Sequence, residues 1–289
     1  MNPAWKPPLL GVLAAIAVTT SMDATGLTAF SALPLFPLIV AFCYLQHLSP
    51  TAIGFTWGRW RYFGIAVLYP LLVLGTVALI CLAAGAVSIS SASWRKTLLN
   101  IALVTISTAL VATLTEEGFF RGWLWASLQR AGRRQLPILL WSSGAFALWH
   151  LSWVTLTVDK LPLAQIPVFI ANAAVIGSIW GLMRWMSGSV LIASVSHGLW
   201  NGLTYVLFGF GTKVGALGIA NTAIFGPEVG ILGLAANVLF AAALYALWRA
   251  AQPAIARAAK LATECSAAEV IAADEHRAPP FAGGNQGDV

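Results

Sequence analysis

Charge is what this chain of 289 residues most conspicuously lacks. Lys, Arg, Asp and Glu make up 9% of it, against about 25% in ordinary soluble domains. A soluble fold of this length would have too little polar surface to cover itself, so the composition excludes a water-solvated globule and makes the bilayer the natural solvent. Cysteine is also scarce. Cys43, Cys81 and Cys265 are spaced for neither a disulfide framework nor a Cys-based metal knuckle, and structural roles are expected for all three. No long polar linker divides the apolar runs, which argues for a single membrane domain over 1–249 with a short polar tail at 250–289. No internal repeat is evident. No small-residue cleavage site follows the apolar stretch 9–20, so a retained first helix is expected there rather than a signal peptide.

What is there is apolar: 59% hydrophobic residues and a mean hydropathy of +0.81. Crossing about 30 Å of hydrocarbon takes about 20 residues. About eight candidate runs lie near 8–22, 28–48, 63–88, 97–116, 136–158, 164–185, 189–209 and 228–249, the fourth continuing as helix through Arg130. This predicts an all-α, polytopic bundle of about eight transmembrane helices. The Ala-rich stretch 250–273 reads as a surface helix, and 277–289 reads as disordered. Trp5, Trp57, Trp60, Trp94, Trp185 and Trp248 fall near run ends, as aromatic belts require. A formal charge of +6 would suggest nucleic acid in a soluble chain. Here the basic residues sit between apolar runs, so the expected partner is the lipid bilayer and no nucleic acid. Placing both termini in the cytoplasm puts Lys6, Arg59, Arg61, Arg130, Arg133 and Arg134 inside, with Arg95 and Lys96 running against the rule. The Ala and Trp content points to a bacterial inner membrane.

Ionisable residues inside spanning segments are costly and usually functional. Glu116, Glu117, Arg121, His150 and His197 are such residues, with amides at Asn172 and Asn201. Glu117 and Arg121 are four apart on one helical face and can pair. Glu116 points about 100° away, leaving one carboxylate to titrate near neutral pH as a general base must. Phe146 and His150 share a face, as do His197 and Asn201, and the latter two could hold a developing oxyanion. Taken singly, each has a plain reading: a Glu–Arg staple, a packing histidine, and an Asn172 that glues two helices. His47 reads as an interface residue and His276 as solvent-exposed. The set, spread over three helices, reads as a site.

These residues resemble the three motifs of the CAAX protease and bacteriocin-processing family of intramembrane proteases. The first is Glu116-Glu117-Gly118-Phe119-Phe120-Arg121, followed by Gly122; the second runs from Phe146 to His150; the third runs from His197 to Asn201. The stretches Gly181–Arg184 and Ser187–Ser189 also look like the family, and the similarity covers roughly 97–205. The resemblance implies an eight-helix bundle and an intramembrane endopeptidase acting on a peptide or protein substrate, lipid-modified or carrying a leader segment. It implies catalytic roles for Glu116 and His150 in activating water and for His197 and Asn201 in holding the oxyanion. Glu117, Arg121 and Phe146 would support the site. Glu116, His150 and His197 could form a zinc set, but no His-Glu-x-x-His element is present, and a site without cofactor is favoured. Two other readings stay open: a non-catalytic scaffold, immunity or regulatory protein of the same fold, and a transporter, which the absence of a repeated half disfavours.

Overall fold

Apolar side chains encircle the helices instead of gathering on one stripe, as expected of segments solvated by lipid. Leu99, Leu103, Ile106 and Leu110, which share one outward face of their helix, all stay exposed. The computed structural model describes residues 5–89, 93–157 and 160–275, the stretch 254–275 as backbone only. The chain divides into two compact units, Met1–Leu244 and Tyr245–Val289.

The first unit holds the bundle. Its helices are α1 (Lys6–Ala24), α2 (Leu35–Leu45), α3 (Arg61–Ala83), α4 (Trp94–Leu114), a π-helical segment (Gly118–Leu124), α5 (Trp125–Arg130), α6 (Gln135–Trp149), α7 (Leu151–Leu156), α8 (Ile166–Ser187) and α9 (Val190–Leu203). A second π-helical turn (Thr204–Phe208) follows α9 and leads into a two-residue hairpin, β1 (Gly209–Phe210) and β2 (Lys213–Val214). The short α10 (Thr222–Phe225) precedes α11 (Ile231–Glu275). In the second unit the described residues are helical, with the Tyr245 and Trp248 rings 6.0 Å apart. Residues 277–289, expected to be disordered, lie outside the described residues, as do His276 and the side chain of Cys265.

Among the described residues, seven helices are long and apolar enough to cross a membrane: Lys6–Ala24, Thr28–Leu45, Arg61–Ala83, Trp94–Arg130, Ile166–Ser187, Val190–Phe208 and Ile231–Pro253. The protein is a multi-pass integral membrane protein with an all-α fold. The expected run at 136–158 is helical over Gln135–Trp149 and Leu151–Leu156, broken at His150 into α6 and α7, so neither piece reaches spanning length by itself. The run near 8–22 is longer than its sequence suggested. As α1 it is tied into the bundle: Trp149 Nε1 donates to Thr19 Oγ1 at 2.7 Å, and Ser152 Oγ donates to Asp23 at 2.6 Å.

Lipid tails are as apolar as Leu, so helices in a membrane associate through close packing of small residues. The pairing of α4 with α9 works this way. A Cβ on Gly198 would lie 2.4 Å from the Thr105 carbonyl oxygen, and one on Gly202 would lie 2.9 Å from that of Ile101. The two glycines, four apart, let α9 lie against the α4 backbone. Their neighbours His197 and Asn201 are thereby carried to the depth of Glu116 and Glu117.

Capping sets the approach of α8 to α9. Gly188 takes a left-handed conformation (φ 73°) after α8, and the Ser189 hydroxyl accepts from the Leu191 N–H to begin α9. Arg184, near the end of α8, is buried; its Nε donates to the Arg121 carbonyl at 3.0 Å.

Gly198→Ala is expected to lower the thermal unfolding midpoint in detergent, because its methyl group meets fixed backbone and overpacking costs about 1–3 kcal/mol. Gly144→Ala in α6, where a Cβ meets nothing within 4 Å, is the matched control. Equal midpoints for the two variants would show that the α4–α9 approach does not depend on the glycine.

Candidate functional site

The helix that begins as α4 does not run smoothly into the site. Thr115 breaks it (φ −118°, ψ −95°), its hydroxyl turning back to the Val111 carbonyl at 2.8 Å. The π-helical segment follows, a form that clusters at functional positions. Gly118 is required here, since a Cβ would lie 2.5 Å from the Thr113 carbonyl oxygen. Through this irregularity Glu117 and Arg121 still meet, as the four-residue spacing predicts. Arg121 Nη1 donates to Glu117 Oε1 at 3.1 Å, and both residues are fully buried.

Neither charge depends on the other alone. Arg121 Nη2 donates to the Gly177 carbonyl of α8 at 3.0 Å, and its guanidinium lies 4.2 Å from the Phe146 ring centre and 5.6 Å from that of Trp180. Gly177 must be glycine, because a Cβ would come within 2.9 Å of the guanidinium. Glu117 Oε1 also accepts from His197 Nδ1 at 3.0 Å. One buried pair thus links the π-helical segment, α6, α8 and α9.

This network fixes the imidazoles. Glu117 Oε1 already accepts from Arg121, so it accepts here as well, and Nδ1 of His197 carries the proton. Trp180 stacks on the His197 ring at 4.0 Å. His150 Nδ1 lies 2.9 Å from the Phe146 carbonyl oxygen, which can only accept, so this Nδ1 is a donor too. Phe146 stands between the Arg121 guanidinium and the His150 ring, whose centre is 4.4 Å away.

Both Nε2 atoms then face the same carboxylate. Glu116 Oε2 is 3.8 Å from His150 Nε2 and 3.9 Å from His197 Nε2. These separations are too long for direct hydrogen bonds and leave room for a bridging group. Glu116 is partly open while Glu117 is sealed. The three side chains line a cavity of about 750 Å³ that also takes in Phe146, Asn172, Trp180 and Asn201. Of the candidate site residues and Asn172, all except Glu117 and Arg121 line this cavity, and those two bond or pack against residues that do.

Asn172 does the gluing of two helices expected of it, joining α8 to α11 through Asn237, and it also clamps a loop. Its amide donates to the carbonyls of Pro227 and Glu228 at 2.8 and 3.0 Å, and Asn237 donates to its oxygen at 3.0 Å. Sequence reading missed Glu228 and Asp23, which also line the cavity. Glu228 is the first residue of the apolar run 228–249; it is buried against Trp200, whose Nε1 donates to Oε1 at 2.8 Å. Asp23 lies between the runs 8–22 and 28–48; it is buried and bonded to Ser152. Among the described residues, no group of three or more His, Cys, Asp or Glu side chains is placed to hold a metal ion.

Residues 96–203 match the family model described as Type II CAAX prenyl endopeptidase Rce1-like. All three motifs read from the sequence fall inside that segment. No curated protein and no solved structure matches the chain.

Removing one partner of a buried ion pair leaves an uncompensated charge, at a cost of about 3–5 kcal/mol. Arg121→Ala is therefore expected to lower the unfolding midpoint in detergent more than Arg130→Ala, a substitution at an exposed arginine. A midpoint for Arg121→Ala no lower than that of Arg130→Ala would contradict the bracing role.

Proposed function

We propose that this chain, whose residues 96–203 match the model of the Rce1-like type II CAAX prenyl endopeptidases, is an intramembrane endopeptidase whose water is activated by Glu116 and His150. The observation that carries the reading is the placement of Glu116 Oε2 3.8 Å from His150 Nε2 and 3.9 Å from His197 Nε2, inside a cavity large enough for a peptide segment. Two lone-pair acceptors facing each other across such a gap call for a donor between them, and a water molecule supplies two O–H groups.

In this reading the water donates to Glu116 and to His150 Nε2. As its oxygen attacks the scissile carbonyl, Glu116 takes the proton. The negative charge that develops on the carbonyl oxygen meets the Asn201 amide and His197. His197 donates there through Nε2 as imidazolium, because its Nδ1–H is already committed to Glu117. When the C–N bond breaks, Glu116 passes its proton to the departing amine, and a carboxylic acid and an amine are released. The substrate is a membrane-associated peptide or protein, with prenylated CAAX termini the class the family description suggests. The site serves a protein with both termini in the cytoplasm.

Glu116→Gln keeps the shape but removes the base, so cleavage of a quenched peptide is expected to fall by about 10²–10⁴-fold with the unfolding midpoint unchanged. No step here runs through a metal, and wild-type activity is expected to persist in chelator. Wild-type rates in Glu116→Gln would overturn the reading. Activity lost in chelator and restored by zinc would replace the side-chain base with a metal-bound water.

A further inference from the structure

Glu228 is a buried carboxyl that the mechanism above does not use. It sits in the turn Gly226–Gly230, outside the seven candidate spans. Its backbone is clamped by Asn172, which is held by Asn237, whose amide oxygen accepts from the Tyr69 hydroxyl at 2.7 Å. The Tyr69 ring stacks on Trp200 at 5.3 Å. Trp200 in turn donates to Glu228 Oε1, closing a ring of contacts that leaves the carboxyl little freedom. Its other oxygen, Oε2, is buried without a hydrogen-bond partner among the described residues. The same residue lines the cavity that holds Glu116, His150, His197 and Asn201.

A buried polar atom without a partner costs free energy, and because its residue lines a cavity beside a reactive set, the group that fills the cavity can supply that partner. We propose that Glu228 is a substrate-binding residue: its free carboxyl oxygen, carrying a proton, donates a hydrogen bond to a backbone carbonyl of the peptide in the cavity. The identity of that occupant rests on the endopeptidase reading.

Burial raises this carboxyl to about 7, against the opposing pull of the Trp200 N–H and of His197. The titratable groups around it are His197 from α9, Tyr205 from the π-helical turn after α9, Tyr69 from α3, and Glu116 and Lys213 across the cavity. A carboxyl titrating near 7 is a donor below that pH and loses the donated proton above it. Affinity for the peptide therefore declines as pH rises through the neutral range.

The test uses full-length protein carrying Glu116→Gln, so that nothing turns over, and a fluorescein-labelled peptide ending in a farnesylated Cys-Val-Ile-Ser tetrapeptide as the probe. Adding Glu228→Ala is expected to weaken binding about tenfold, the weight of one well-placed hydrogen bond. Adding Glu228→Gln, whose amide is a permanent donor of similar shape, is expected to retain affinity. Between pH 6 and pH 8 the Kd of the Glu228 parent should rise about tenfold as its competent fraction falls, while that of the Gln variant changes less. The same Kd in all three proteins, a Gln variant as weak as the Ala variant, or no binding by any of them overturns the proposal. Cleavage of the same probe by wild type judges the endopeptidase reading separately. Glu228-dependent binding without cleavage sinks that reading alone, whereas cleavage with Glu228-independent binding sinks the Glu228 assignment alone.

Discussion

The arrangement depends on one buried ion pair. Glu117 and Arg121 are both sealed from solvent, where two charges need hydrogen bonds beyond their own pairing to offset the cost of burial. Arg121 spends a second donor on the Gly177 carbonyl and lays its plane over Phe146. Glu117 accepts a second hydrogen bond from His197. Four separate elements are thereby registered to one pair of charges, and each brings a member of the candidate site with it. A buried pair of this kind is a weak source of net stability, but it penalises every arrangement in which one of its partners is missing.

The pair also decides what the neighbouring groups can do. Because Glu117 accepts a hydrogen bond from His197 Nδ1–H and the Phe146 carbonyl accepts one from His150 Nδ1–H, both rings turn their Nε2 atoms toward Glu116. Glu116 differs from Glu117 only in its direction on the helix, yet it borders the cavity while Glu117 is closed off. Adjacent carboxylates thus serve as a brace and as a base. The close α4–α9 approach at Gly198 and Gly202 supplies the other half of the geometry, since bulkier residues there would lift His197 and Asn201 away from the Glu116 helix.

Much of this was legible in the sequence, for a local reason. Glu117 and Arg121, Phe146 and His150, and His197 and Asn201 are each four apart, and one helical turn brings such residues to one face whatever the rest of the fold does. Polar side chains also stand out against apolar runs, so the candidate set could be picked by composition. The family match over 96–203 agrees with those motifs. What could not be read was tertiary. Glu228 joins the cavity only because Asn172 holds its backbone and Trp200 its carboxyl, partners 56 and 28 residues away. The break at Thr115, the π-helical segment and the division of the 136–158 run at His150 all interrupt runs that hydropathy treats as continuous. Each interruption adjusts where Glu116 or His150 points, which apolar length cannot register.

The most direct test of this account is the protonation of the His197 ring, read by nitrogen NMR on histidine-labelled protein in nanodiscs, with His197→Ala assigning the signal. The account predicts that Nδ1 carries a proton at every pH at which the protein stays folded, whether Nε2 is bare or protonated. A neutral ring with its proton on Nε2 and a bare Nδ1 would contradict it. Glu117 would then not be orienting His197, and the geometry around Glu116 would have another cause.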